Sequence, residues 1–483
     1  MPLPELILLW IITALAARSG TPMPPDPAIA VQCAALAARV FPPASAGEDA
    51  WPSMRHILIE IKAAHDAFSD RANRELPFHV GNSIFELPGN APPSRTTPAE
   101  NDRITSFRRD TIDELTRRGV WPALARCGTL PRCRPPLFDY RGGFNLEISR
   151  LRIAAQCAAQ RAAFCAREHD WDGAAEAILA IEACARAAAA QGPFISTLLA
   201  SSIVDTSDEA QTGLLVHIKP TAAQAESLLA ARRGARSLTL SFHHAMEFEV
   251  LFNLGAMSSG FSGHPLARGA RHLPHPEKDF PDLFSAASER AQQADHILRH
   301  PVIAAAAPLF CRYPDSALIT RAMLSRTARV FARPIHPAHA VAALNKIADS
   351  VWNLPTTALP DAAMLDALIR IYAKVIDTSR RRECVSNASL ILLALAAYHA
   401  EHSDYPASLD QLAPKYFPDA LPRDPLAPDL VFRYRRESPD GFILYTVGFD
   451  GEDNNGTPAE EPDSALRDRA PGTDFILGGR ATP

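Results

Sequence analysis

Ser438-Pro439-Asp440-Gly441 restricts what this chain can fold into more than any other stretch. Proline fixes φ at one position and glycine accepts a positive φ at another, so the tetrapeptide reverses the chain. Before it, Leu430, Phe432 and Tyr434 face one way while Arg433 and Arg435 face the other. That period of two marks a strand. After it, Phe442 to Val447 supplies the returning strand. A lone hairpin is marginal in water, so it needs a partner to pack on. The expected partner is the helix from Glu383 to Glu401, with apolar residues at Val385, Ala388, Leu392, Leu395 and Ala396. Ser403-Asp404-Tyr405-Pro406 ends that helix, because the residue before proline disfavours the helical region. Ser408 to Leu412 can start a short helical turn, limited by Pro414 and Pro418.

Most of the remaining chain reads as helix, and the fold class expected is mostly α, an alanine-rich body carrying a small C-terminal α+β module. Met54 to Phe68 places Ile57, Ile61, Ala64 and Phe68 at helical spacing. Residues 77–100 read as a loop. Asp102 to Arg118 has a narrow apolar side of Ile104, Phe107, Ile112 and Leu115, which suits a surface helix. Leu146 to Ala190 is the clearest helical pair, broken at His169-Asp170-Trp171-Asp172-Gly173. Its alanines combine helix propensity with close helix–helix approach. Further helical blocks are expected over Thr221–Met257, Ser285–Ile297, Pro337–Val351 and Asp361–Ile376.

Composition narrows the function classes. The net charge of −5 is concentrated, since residues 450–474 hold eight acids against Arg467 and Arg469. No basic stripe for nucleic acid remains elsewhere. The eight cysteines form no CxxC pair, which leaves a zinc ribbon or thioredoxin-type motif without support. Cys127 and Cys133 flank a turn, and a bridge in an oxidising compartment and two reduced thiols both remain open. His243 and Glu247 share a helix face at i,i+4, but two histidines spaced around a glutamate, as zinc hydrolases require, are missing. His264, His272 and His275 form a loose loop cluster. No nucleophile elbow, Walker loop or dinucleotide fingerprint occurs.

Leu6 to Ala17 is apolar apart from Thr13, too short for a standard membrane span but suited to a signal-peptide core. Ala14-Leu15-Ala16 has a small-x-small cleavage pattern, although no Lys or Arg precedes the run. The division expected is a signal peptide or short anchor at 1–20, a proline-rich tether at 21–28 and a helical body at 29–379 with a sub-boundary near 258–284. The module at 380–479 and a tail at 480–483 complete the chain.

Immediately after the hairpin comes Gly448-Phe449-Asp450-Gly451-Glu452-Asp453-Asn454-Asn455-Gly456. Carboxylates, amides and turning glycines of this kind supply the oxygens that calcium seeks, although the spacing is not that of an EF-hand. A solvated acidic loop is the alternative. The order of helix, YPASLDQL, LPRDP, tyrosine-containing hairpin, LYTVGFDGEDNNG and DFIL resembles the globular part of the major pseudopilin of type II secretion systems. The resemblance covers about 383–477, under a quarter of the chain. The whole chain is also similar to bacterial envelope proteins, of uncharacterised role, that join a helical body to this ending. The resemblance implies a helix against a small antiparallel sheet and a calcium-binding last loop. Carried over, Asp450 matches the loop aspartate and Asp474 the late one; Asp453 is added from the loop's own chemistry, not from the family, to compensate for Thr473. Thr473 stands where the family often has a second acid. In pseudopilins the membrane helix runs straight into the globular part, so the long intervening body argues against assembly into a filament.

The function expected is therefore non-enzymatic: an exported or membrane-anchored bacterial cell-envelope or secretion-associated protein, with protein partners and a calcium-stabilised module. The alternatives are a metal-dependent enzyme using the His243/Glu247 region and a cytoplasmic helical scaffold.

Overall fold

The computed structural model describes residues 27–40, 49–75, 98–135, 146–192, 194–237, 242–257, 289–290, 293, 313–332, 336–354, 359–427, 429–447, 451–458 and 474–479. The expected signal peptide, most of the tether, the sub-boundary with His264, His272 and His275, Asp450, Thr473 and the 480–483 tail lie outside them, as does most of the block from Ser285 to Ile297.

The protein is mostly α with a small antiparallel sheet near its C-terminus. Its described helices are α1 (Pro27–Val40), α2 (Trp51–Glu75), α3 (Pro98–Arg117), α4 (Val120–Thr129), α5 (Leu146–Arg167) and α6 (Trp171–Ala189). They continue with α7 (Phe194–His217), α8 (Ala222–Ser237), α9 (Phe242–Met257), α10 (Tyr313–Phe331), α11 (Pro337–Ser350) and α12 (Leu359–His402). The strands are β1 (Arg433–Ser438), β2 (Gly441–Thr446) and β3 (Phe475–Gly478), in the order β1-β2-β3.

The described elements fall into two compact units. One contains α1, α9, α10, α11 and α12 as far as Ser379. Within it α9 packs on α1 and α10, and α10 packs on α11. Buried Tyr372 donates its hydroxyl to Glu249 at 2.9 Å, and burial raises its pKa well above the ordinary value. The other unit contains α2 to α8, α12 from Arg380, and the sheet.

In the second unit α6 is the central helix, packing on α4, α5, α7 and α8. Asp170 starts it, accepting the Gly173 N–H at 3.0 Å, while His169 takes a left-handed φ of 60° in the turn. Most of α6 is buried, including Ala174, Ala177, Ile178, Ile181 and Ala185. A helix enclosed on nearly every side needs small residues to admit its neighbours. Gly128 of α4 shows how close they come: a Cβ there would lie 3.2 Å from the Ala183 Cβ. Arg186 donates to the carbonyls of Gly128 and Leu130, satisfying the end of α4. The apolar side expected of α3, Ile104, Phe107, Ile112 and Leu115, is buried.

α12 is a continuous 44-residue helix. The polar run Asp377 to Arg382 does not break it, because no glycine occurs in the helix and its one proline, Pro360, lies in the first turn. It ends at His402, where Ser403 turns left-handed (φ 53°) ahead of Tyr405-Pro406. Ala362–His402 is long and apolar enough to cross a membrane by length and composition, but 50% of its most apolar window is buried within the protein. Cys384, Ala388, Ile391, Leu393, Ala394 and Leu395 join one core with Ala174 and Ile178 of α6, Leu214 of α7, Leu228 of α8, and Phe442 and Leu444 of β2. The module and helices α5–α8 thus bury their apolar faces against each other.

β2 is buried throughout, whereas β1 is exposed over most of its length. Phe442 and Leu444 point into the shared core. On the other face Ile443 and Tyr445 lie under the loop at 451–458, where a Cβ on Gly456 would come within 3.4 Å of the Tyr445 ring. β3 completes the sheet, pairing Tyr445 with Ile476 and Leu444 with Gly478.

Candidate functional site

Polar groups concentrate in two places in the second unit. The first is the loop that covers β2. Gly451 (φ 75°), Asn455 (φ 57°) and Gly456 (φ 75°) are left-handed, conformations that glycine and asparagine accept most readily. The Asp453 carboxylate braces the turn: its Oδ1 accepts the Tyr445 hydroxyl at 3.0 Å and the Asn455 N–H at 2.9 Å. Its Oδ2 accepts from Arg433 Nε at 3.3 Å, and Arg433 also donates to Asp429 at 2.9 Å. Arg435 donates to the Asn455 carbonyl at 3.1 Å. Asp474, buried, accepts the Gly456 N–H at 2.7 Å, while its own N–H donates to the Thr457 carbonyl at 2.7 Å. Burial pushes the Tyr445 hydroxyl up to about 12, reinforced by the hydrogen bond to Asp453 and the charges of Asp453 and Asp474, with Arg435 opposing.

This geometry bears on the calcium ligands expected at Asp450, Asp453 and Asp474. Among the described residues no group of three His, Cys, Asp or Glu side chains could hold a metal ion. Both Asp453 oxygens already accept hydrogen bonds, one of them from a guanidinium. Calcium, with oxygens at roughly 2.3–2.6 Å, would have to share this carboxylate with that cation. Asp453 as placed is engaged by Arg433 and the turn, Asp474 holds the loop backbone, and Asp450 lies outside the described residues.

The second place is a buried ionic network between α6, α7, α8 and α12. Arg232, with 0% side-chain exposure, donates to Glu182 at 2.8 Å and to Asp208 at 2.7 Å. It also donates to Gln211 Oε1, and Arg236 reaches Asp208 at 2.6 Å and Glu182 at 3.2 Å. The Ser207 hydroxyl donates to Glu182 at 2.9 Å. Four bonds tie in α12: Ser389 Oγ to Asp208 at 2.5 Å, Gln211 Nε2 to the Ser389 carbonyl at 2.8 Å, Arg236 to the Ser386 carbonyl at 2.5 Å and Arg232 to Ser389 Oγ at 3.5 Å. Burial acts to raise the Asp208 carboxyl, but Arg236, Arg232 and the Ser389 hydrogen bond hold it below the usual range. Two arginines balance two carboxylates, so the network neutralises itself in a site where only Arg236 keeps some exposure. Its chemistry is structural.

Asp205, one turn before Asp208 on α7, behaves oppositely. It pairs with Arg382 at 2.8 Å, yet burial and the charges of Asp208 and Glu209 push its carboxyl up to about 7. A carboxyl raised on folding contributes stability that is complete below the unfolded value near 4 and is lost as pH rises through about 7. Asp205→Asn is therefore expected to leave stability unchanged near pH 4 and to raise it at pH 8. A gain on the order of 1–2 kcal/mol is expected, reduced from the full linkage value for solvent access. Urea unfolding at the two pH values measures it.

The remaining expected positions are dispersed. Glu247 pairs with Arg39 at 2.7 Å, and the His243 and His244 rings lie 5.5 Å apart without a third ligand at metal-holding distance among the described residues. Cys127 and Cys133 are separate buried thiols, and burial takes Cys133 up to about 12. Arg232, Arg236, Glu182, Asp208 and Ser389 escaped sequence reasoning. The available signal was charge inside alanine-rich helices, as in Ile181-Glu182-Ala183.

Compared with protein-family models, curated proteins and solved structures, the chain gives no match.

Proposed function

We propose that this chain is a non-enzymatic interaction protein of the bacterial cell envelope, or associated with secretion, that carries a pseudopilin-like C-terminal module. One observation supports the reading above the others. The end of α12 packs against a three-stranded antiparallel sheet whose last loop is pinned by Asp474, the arrangement that the resemblance implies. The shared core with α5–α8 favours a module fixed in a larger binding body over a separately polymerising head. The structural calcium that the resemblance implies would rest on Asp450 and Asp474 and is no part of this reading; Asp453, the added ligand, is engaged by Arg433.

Cell fractionation with intact-mass analysis tests the proposal. Recovery in the envelope fraction, with the N-terminus cleaved near Ala16 or retained as an anchor, is the result expected. A cytoplasmic protein with an intact Met1 would favour the helical scaffold. Stoichiometric zinc lost in His243→Ala would favour the enzyme.

A further inference from the structure

We infer that Arg433 and Arg435 are the resident cations of the 451–458 loop and hold it closed over the outer face of β2 without a metal ion. The two arginines alternate with Tyr434 on β1, so both project from the face opposite the shared core. Each engages an acceptor on the loop: Arg433 the Asp453 carboxylate, Arg435 the Asn455 carbonyl. Arg433 is itself fixed by Asp429, which it approaches through both terminal nitrogens. Proximity to Asp429 and Asp453 raises the Arg433 pKa, so the guanidinium stays charged. Hydrogen bonds from Arg433 hold the Asp429 carboxyl below its usual range against the opposing effect of burial.

The loop needs positive charge because it carries Glu452 and Asp453 next to buried Asp474. A planar guanidinium on a rigid strand supplies it with fixed geometry, whereas a bound ion would have to be recruited. What the cations secure is apolar burial: the loop backbone at Gly456 lies against Ile443 and Tyr445. Arg433 already occupies the Asp453 carboxylate, so loop closure is expected not to need calcium and to show no calcium-dependent protection. Closure would then not depend on a calcium-rich compartment, and this inference stands or falls separately from the localisation proposed above.

Hydrogen exchange by mass spectrometry on the full chain, followed over the peptide 451–458, tests it in EGTA and in about 5 mM calcium. In the native protein the Asn455, Gly456 and Thr457 amides are bonded within the loop or to Asp474, and their exchange is expected to be the same in both buffers. Arg433→Gln should accelerate exchange of this peptide about threefold in EGTA, the scale of a partly exposed ion pair, while peptides of α6 stay unchanged. Saturable, calcium-dependent protection of the native loop would overturn the inference, as would unchanged exchange in Arg433→Gln. Asp453→Asn gives an independent check, since it should also open the loop and should do so equally with and without calcium.

Discussion

Arg232→Ala is expected to cost roughly 3–5 kcal/mol, a large share of the about 5–15 kcal/mol that ordinarily stabilises a folded protein. The side chain is fully enclosed and donates to Glu182, Asp208, Ser207 and Gln211. Removing it leaves two buried carboxylates with only Arg236 to neutralise them. Water cannot compensate without opening the contacts between α6, α7 and α12. The loss should be non-additive. Arg232→Met combined with Glu182→Met removes one charge of each sign and leaves Arg236 paired with Asp208. The double variant is therefore expected to be much less destabilised than the sum of the two single changes. Chemical denaturation of the four proteins measures the coupling.

Gly479→Ala is expected to be the most damaging small change in the sheet, at about 2–3 kcal/mol. Gly479 holds φ 95°, which alanine adopts only with strain, and a Cβ there would meet the Phe442 carbonyl oxygen at 2.3 Å. That oxygen belongs to the backbone of β2 and cannot swing aside as a side-chain tip would. β3 would have to lift at its C-terminal end, withdrawing Ile476 from its place beside Tyr445. Gly478 offers the contrast. A Cβ there would meet the tip of Leu392 at 2.6 Å, a side chain able to change rotamer, so Gly478→Ala should cost less. Thermal unfolding of the two variants ranks them.

The hairpin was legible because its turn and its alternation are local signals. Ser438 pairs with Gly441 across the turn, and Arg433 and Arg435 lie on the face expected of them. What Arg433 does there was not legible, because its partner Asp453 approaches through a loop twenty residues on. The helical pair over Leu146–Ala190 was legible for the same local reason, with Asp170 as its cap. α12 was harder. Reading Asp361–Ile376 and Glu383–Glu401 as separate helices treats the charges at 377–382 as a break, but charge alone does not stop a helix. Its stripe was also read too narrowly. Val385, Leu392 and Ala396 are only partly buried, while Cys384, Ile391 and Leu393 are fully enclosed. The buried network had no linear signature, since Glu182, Asp208, Arg232 and Ser389 come from four helices that only tertiary packing brings together.

The C-terminal module and helices α5–α8 share one core. Native-state hydrogen exchange in increasing urea, comparing peptides from β2 (Gly441–Thr446) with peptides from α6 (Trp171–Ala189), tests that directly. A single cooperative core predicts that both lose protection at the same urea concentration and that Arg232→Ala lowers that concentration equally for both. Loss of protection in β2 at a distinctly lower concentration, with α6 unaffected, would contradict it.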